Sequence, residues 1–175
     1  RHLINGTVIE IAESTYTRAF GAPGATPLIL HSVPCEKADL VLDLTSDFSE
    51  NALADCIILT QTFPFIFNLD KASRNCIQLL KPGGSLIITV PGITQISRYD
   101  MDRWGQYWSF TTKSIQRLFE PHVPSENIRI SHYGNVFAAS AFLYGITANE
   151  LAPDELNYID NDYQMLIGAV VTRPK

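Results

Sequence analysis

His132 and Asp102 are the two side chains best suited to take a proton from an acceptor. His132 closes the segment NIRISHYG, which reads as a strand, and imidazole titrates near neutral pH. Asp102 lies in PGITQISRYDMDRWGQYW, a long polar and aromatic loop. A positioned base typically contributes about 10²–10⁴-fold to a rate. Tyr99 and Tyr133 are weaker bases, because an unperturbed phenol stays protonated at neutral pH. Trp104 stands beside Arg103 and Asp102, and an aromatic face next to polar forks can hold a sugar, a flat ring or a cation. Each residue also has a plainer reading. His132 can be a hydrogen-bonded strand-end histidine, and Asp102 a carboxylate paired with Arg103 or solvated. Trp108 and Phe110 read as packing of the loop onto the fold.

These residues need elements to position them, and the hydrophobic pattern supplies a series. GTVIEIAES holds a first strand, roughly Thr7 to Ala12, apolar and β-branched as a strand buried on both faces should be. A short helix and a run of breakers, GAPGATP, follow. LILHSV ends a second strand near His31, ADLVLDL a third at Asp43, and DCIILTQT is a fourth. NLDKASRNCIQLLKPGG reads as a helix capped by Asn68 or Asp70 and stopped by a Pro-Gly-Gly turn. SLIITV is a fifth strand, TTKSIQRLFEP a helix with a threonine cap, and NIRISHYG a sixth strand. Asn135 to Leu151 reads as one apolar helix, serving as lid, core or interface, and YQMLIGAVVTRP as a last strand. Strands alternating with helices argue for an open, mostly parallel α/β sheet, whose ligands bind beyond the carboxyl ends of the strands.

Composition narrows the function. The 175 residues are expected to form a single domain, and the start at Arg1 suggests excision from a longer multidomain protein. A net charge of −5 without a basic run argues against nucleic acid as partner. No run of about 18 apolar residues is present, so no membrane span is expected. Cys35, Cys56 and Cys76 form no CxxC pair, which points to reduced thiols in a cytoplasmic protein and to no metal site.

Several stretches carry a family resemblance. LLKPGG followed by SLIITVPG resembles the fifth-strand region of class I S-adenosylmethionine (SAM) dependent methyltransferases. ADCIILTQTFPFIFN is similar to that family's fourth-strand segment, and DRWGQYWSFTTKSIQRLFE looks like its "yWRfT" stretch. The ordering covers nearly the whole chain. It implies a Rossmann-like class I fold: a mostly parallel seven-stranded sheet with an antiparallel last strand and helices on both faces. The family's glycine motif, E/DxGxGxG, is degenerate here. Ala12 and Ser14 stand at two glycine positions and Tyr16 at the third, after Glu10. Ala and Ser allow close approach of a ligand if φ stays negative; Tyr16 forces the turn onto another path.

The resemblance implies SAM as cofactor and S-adenosylhomocysteine as product. It assigns the cofactor to Glu10, Ala12, Glu13, Ser14 and Tyr16, to His31 at the ribose position, to Asp43 and Leu44 at the adenine, and to Thr60, Gln61 and Thr62. Tyr99, Arg103, Trp104 and Tyr133 are then expected against a small-molecule or glycan acceptor, with His132 or Asp102 as base. The modified motif resembles methyltransferases of the type 11/12 kind found with glycosyltransferases. That analogy implies metal-independent O-methylation of a sugar hydroxyl in glycan or polysaccharide synthesis, with other domains of the same polypeptide as partners. Two rivals stand beside it. One is a non-catalytic methyltransferase-like scaffold, suggested by the lost glycines. The other is a nucleotide-binding oxidoreductase, which the absence of a GxGxxG disfavours.

Overall fold

In the structure, a computed structural model describing residues 2–175, strand β1 (Thr7–Ile11) runs parallel to both its neighbours. These are β2 (Thr26–His31) and β4 (Ala54–Thr60). A strand flanked this way has no solvent edge, and Val8 and Ile9 are fully buried on its opposite faces. The sheet continues to β3 (Leu40–Val41) on one side, and to β5 (Leu80–Pro91), β7 (Leu166–Thr172) and β6 (Ile128–Tyr133) on the other. The order is β3-β2-β1-β4-β5-β7-β6, and only β7 runs antiparallel. This is the sheet the sequence led us to expect. The chain winds outward from β1 to β3 and then returns to β4, so the order reverses between β1 and β4.

Helix α2 (Leu69–Leu79) begins where expected. Asn68 Oδ1 accepts the Lys71 amide at 3.2 Å, and Ala72, Cys76 and Leu79 are buried. Helix α4 (Thr112–Phe119) packs beside it, opened by a reciprocal Thr111–Ser114 capping box. The main core, with Ile57, Leu59, Leu86, Ile88, Ile115 and Phe119, lies on the face that these helices cover. The other face has a smaller cluster of Val8, Cys56 and Ile58. Helix α1 (Thr15–Phe20) lies toward that face, because its Thr17 bonds Glu10, which shares a face with Val8.

Four local expectations need correction. The third strand spans only Leu40–Val41, because the Asp43 side chain turns the chain by accepting from Thr45. The Lys-Pro-Gly-Gly segment is a bulge inside β5: Ala54 faces Leu80 but Cys56 faces Ser85, and Gly83 takes φ +75°. The aromatic loop contains a helix, α3 (Arg98–Trp104), capped by Ser97. The long apolar helix ends early, as α5 (Val136–Leu143), because Gly145 enters the left-handed region at φ +80°. A further short helix, α6 (Pro153–Asn157), follows. No described helix is long and apolar enough to cross a membrane.

Candidate functional site

A crevice of about 250 Å³ opens between the carboxyl ends of β1 and β4, at the point where the strand order reverses. Open α/β sheets bind their ligands at such points. Glu10, Glu13, Tyr16, Thr60 and Thr62 line it, with Ile11, Thr15 and Ile58.

The β1–α1 turn that forms one wall departs from a glycine turn in a specific way. Ala12 adopts φ +66°, so an alanine occupies the left-handed conformation that glycine usually supplies. Its amide is fixed on the Leu30 carbonyl at 3.2 Å. The expectation of negative φ therefore fails at Ala12 and holds at Ser14, where φ is −95°. Ser14 occupies the N-cap of α1 yet makes no side-chain cap bond. Glu10 does that work instead. Its carboxylate, 2% exposed, accepts the Tyr16 amide at 3.0 Å and also the amide and hydroxyl of Thr17. A carboxylate at a helix N-terminus satisfies donors that have no partner within the helix.

A second pocket, of about 220 Å³, adjoins the first across the β4 end. Gln61 lies between Thr60 and Thr62, and it lines this second pocket rather than the crevice. It takes φ +51°, with its amide on the Thr89 carbonyl at 2.8 Å and its side chain on the Thr89 hydroxyl at 3.3 Å. Thr94, Gln95, Ser97, Asp100 and Gln106 supply the other polar lining. Gln106 is fixed by accepting the Ser97 amide at 2.9 Å. Asp100 is half-buried in this wall. Asp100, Gln95 and Gln106 were not among the residues singled out from the sequence.

Other expected residues lie elsewhere. His132 is on β6, three strands from β4 and so roughly 14 Å from the crevice at about 4.8 Å per strand. The structure does not bring it to the site. Tyr133 beside it lines a different, apolar groove. Asp102 is exposed on α3, 3.9 Å from Arg98 rather than paired with Arg103. Arg103 stacks over the Tyr99 ring at 3.4 Å, and Trp104 is largely exposed; none of the four lines either pocket. Tyr107 and Trp108 pack on Phe67, and Trp108 Nε1 donates to the Ile66 carbonyl.

At the second and third strands the expectations divide. Asp43 is exposed and engaged with Thr45, and the Leu44 side chain is in the core. His31 ends β2 with its Nε2 buried and without a hydrogen-bond partner.

Solved structures share this architecture. A SAM-dependent methyltransferase from Mesorhizobium loti superposes with a TM-score of 0.60 at 13% identity, over 99% of this chain and 93% of that one. This is the class I methyltransferase fold. The phosphoethanolamine N-methyltransferase 2 of Haemonchus contortus, solved with S-adenosylhomocysteine or with SAM, matches at 12% identity and a TM-score of 0.57. The match covers 98% of this chain and 49% of the Haemonchus enzyme, so the chain spans about half that protein's length. The [4+2]-cyclase SpnF matches at 10% identity and a TM-score of 0.57, over 96% of this chain and 75% of its own. No family model and no curated protein matches the sequence.

The crevice wall suits SAM at the β1–α1 turn. At Ala12 the backbone takes the left-handed conformation a glycine would supply, with only a methyl group added. His31, at the end of the strand next to β1, is outside the crevice lining, and its Nε2 is enclosed without a hydrogen-bond partner. The carboxylate of Glu10 already accepts from three donors, two backbone amides and the Thr17 hydroxyl.

Proposed function

We propose that the chain is a SAM-dependent methyltransferase whose donor lies in the β1–β4 crevice and whose acceptor lies in the adjoining Gln61–Asp100 pocket. The observation that carries this reading is the pairing of two cavities across one short segment, Thr60-Gln61-Thr62, at the strand-order reversal. SAM, when bound, supplies an electrophilic methyl group. The chain's own task is to align an acceptor with it, which is chiefly a matter of positioning.

On this reading Thr60, Thr62, Glu13 and the turn at Ala12 hold the donor, with the His31 ring turning out from the neighbouring strand end to meet one ribose hydroxyl. Tyr16 and Glu10 shape the wall. Gln61, Gln95 and Gln106 offer amide donors and acceptors to a polar acceptor, and Asp100 takes its proton. This lining supports a hydroxyl-bearing acceptor such as a sugar. O-methylation in glycan synthesis is the finer proposal, with other domains of a longer polypeptide as possible partners. Among the described residues no three His, Cys, Asp or Glu side chains gather where they could hold a metal ion, so we propose a metal-independent reaction. Three free cysteines, two of them buried, support a reducing, cytoplasmic location.

One observation favours a second reading. Glu10 is engaged by three donors of helix α1 and Tyr16 stands at a glycine position in the crevice, as a binding or scaffold domain without turnover would allow. The experiment that separates the two is transfer of a labelled methyl group from SAM to a panel of sugars, amines and phenols. Turnover that chelators leave intact supports the enzyme. Donor binding without transfer to any acceptor class supports the scaffold.

A further inference from the structure

The chain from Tyr133 to Met165 holds five carboxylates, Glu150, Asp154, Glu155, Asp160 and Asp162, and no Lys, Arg or His. Among the described residues, none of the five forms an ion pair. Three of them serve local turns: Glu150 accepts from Thr147, Glu155 from the Ala152 amide, and Asp160 from the Asp162 amide. The Thr147 amide and hydroxyl hold Glu150 below the usual carboxylate range, so it is charged at neutral pH.

Beside these carboxylates lies an apolar groove of about 340 Å³. Glu150 stands between the lining residues Ala148 and Leu151, Glu155 precedes the lining Leu156, and the Asp160 amide bonds the carbonyl of the lining Gly134, so they form an acidic rim. Tyr133, Phe142, Ile146, Leu156 and Leu166 line it, and all five are exposed. Helix α5, VFAASAFL, forms one wall. Its one hydroxyl, on Ser140, is turned back onto the Val136 carbonyl. A helix that is apolar on every side belongs in an interior, yet Val136, Phe137, Phe142 and Leu143 face solvent here. Apolar surface of this kind, rimmed by charge, marks a docking site.

We propose that this groove receives a basic amphipathic helix of a partner protein, apolar ridge inward and lysines or arginines against the acidic rim. The charge selects this occupant over two others. A second copy would bring five carboxylates against five, and an anionic membrane would be repelled by the same rim. Opposite charge across the rim would also steer the encounter and set its salt dependence. The groove lies apart from the β1–β4 crevice, so the inference stands without the proposed methyl transfer.

The test uses two labelled helical peptides of 16 residues or so, one with leucines backed by lysines and one with leucines backed by glutamates. Fluorescence anisotropy should show saturable one-to-one binding of the lysine peptide, weakening at least tenfold as salt is raised. The double variant Phe142→Ser/Leu156→Ser should weaken it at least tenfold. Asp154→Lys/Asp162→Lys, which leaves the groove lining and the cap bonds intact, should do the same, with melting temperature confirming that each variant folds. Equal binding of the glutamate peptide, or lysine-peptide affinity unchanged in the rim variant, overturns the proposal. So does a dimer in sedimentation that Phe142→Ser/Leu156→Ser dissolves, which would make a second copy the occupant. Binding to phosphatidylglycerol vesicles that the same variant abolishes would assign the face to a membrane instead.

Discussion

The Glu10 carboxylate accepts the Tyr16 amide at 3.0 Å, so the acidic residue one before the end of β1 secures the first turn of α1. Five residues of chain lie between the two, and the turn they form builds one wall of the crevice. The short helix α1 has no side-chain cap of its own, which makes this bond its anchor.

Replacing that anchor should therefore cost stability. Glu10→Gln keeps the shape but turns one acceptor into a donor facing backbone N–H groups. Hydrogen bonds to charged groups contribute about 1.5–3 kcal/mol each, so a loss of about that size is expected. Urea unfolding measures it, and a midpoint within error of the parent would show that Glu10 is not the anchor.

Ala12 should respond in the opposite direction. An L-residue in the left-handed region costs about 1–2 kcal/mol, while glycine pays about 0.5–1 kcal/mol in added chain entropy. Ala12→Gly should thus be neutral to stabilising by about 1 kcal/mol. At about 2–4 °C per kcal/mol for a chain of this size, the melting temperature should hold or rise by a few degrees. A clear fall would mean that the Ala12 methyl makes a contact worth more than the strain.

The cysteines give a pH-dependent signature. Burial pushes the Cys56 thiol up to about 12, with help from the Glu10 and Asp55 carboxylates, and burial alone pushes Cys76 up to about 12. Free thiols ionise near about 8.5. The unfolded chain therefore releases these protons first as pH rises, and stability from the buried thiols is complete below about pH 8.5 and lost as pH climbs toward 12. At pH 8 an aromatic disulfide reagent should modify exposed Cys35 quickly and the other two only at the rate of unfolding. Three fast thiols would contradict this burial.

Asp100 and Asp102 should separate cleanly in turnover once an acceptor is in hand. Asp100→Asn should lower kcat by about 10²–10⁴-fold with little change in donor affinity, as for a general base. Asp102→Asn, at an exposed position outside both pockets, should change neither. Equal effects from the two would remove Asp100 from the proposed role.

Much of this arrangement was legible beforehand. Continuous β-branched runs marked β1, β4 and β5 because strands buried on both faces carry no polar alternation. The Thr111 cap was readable, and the other cap was narrowed to Asn68 or Asp70, because helix starts need side-chain acceptors. The site itself was harder. Polar residues disguised α3 as a loop, and on a helix positions 100 and 102 lie about 200° apart, so choosing between the two carboxylates required knowing that the segment was helical. His132 looked apt because it ends a strand, but a strand's end does not reveal how many strands separate it from β1. The left-handed φ at Ala12 carried no sequence signal, since alanine gives no reason to expect it.

The central claim is that the β1–β4 crevice binds the methyl donor without the usual glycines. Calorimetric titration with SAM and S-adenosylhomocysteine tests it most directly, on the parent chain and on Thr62→Arg, which fills the crevice. Saturable one-to-one binding is predicted. Thermal protection should reach about 2.7 kcal/mol at 100 times the dissociation constant, and Thr62→Arg should weaken binding at least tenfold while still folding. No heat at millimolar ligand, or equal affinity in Thr62→Arg, would contradict the account.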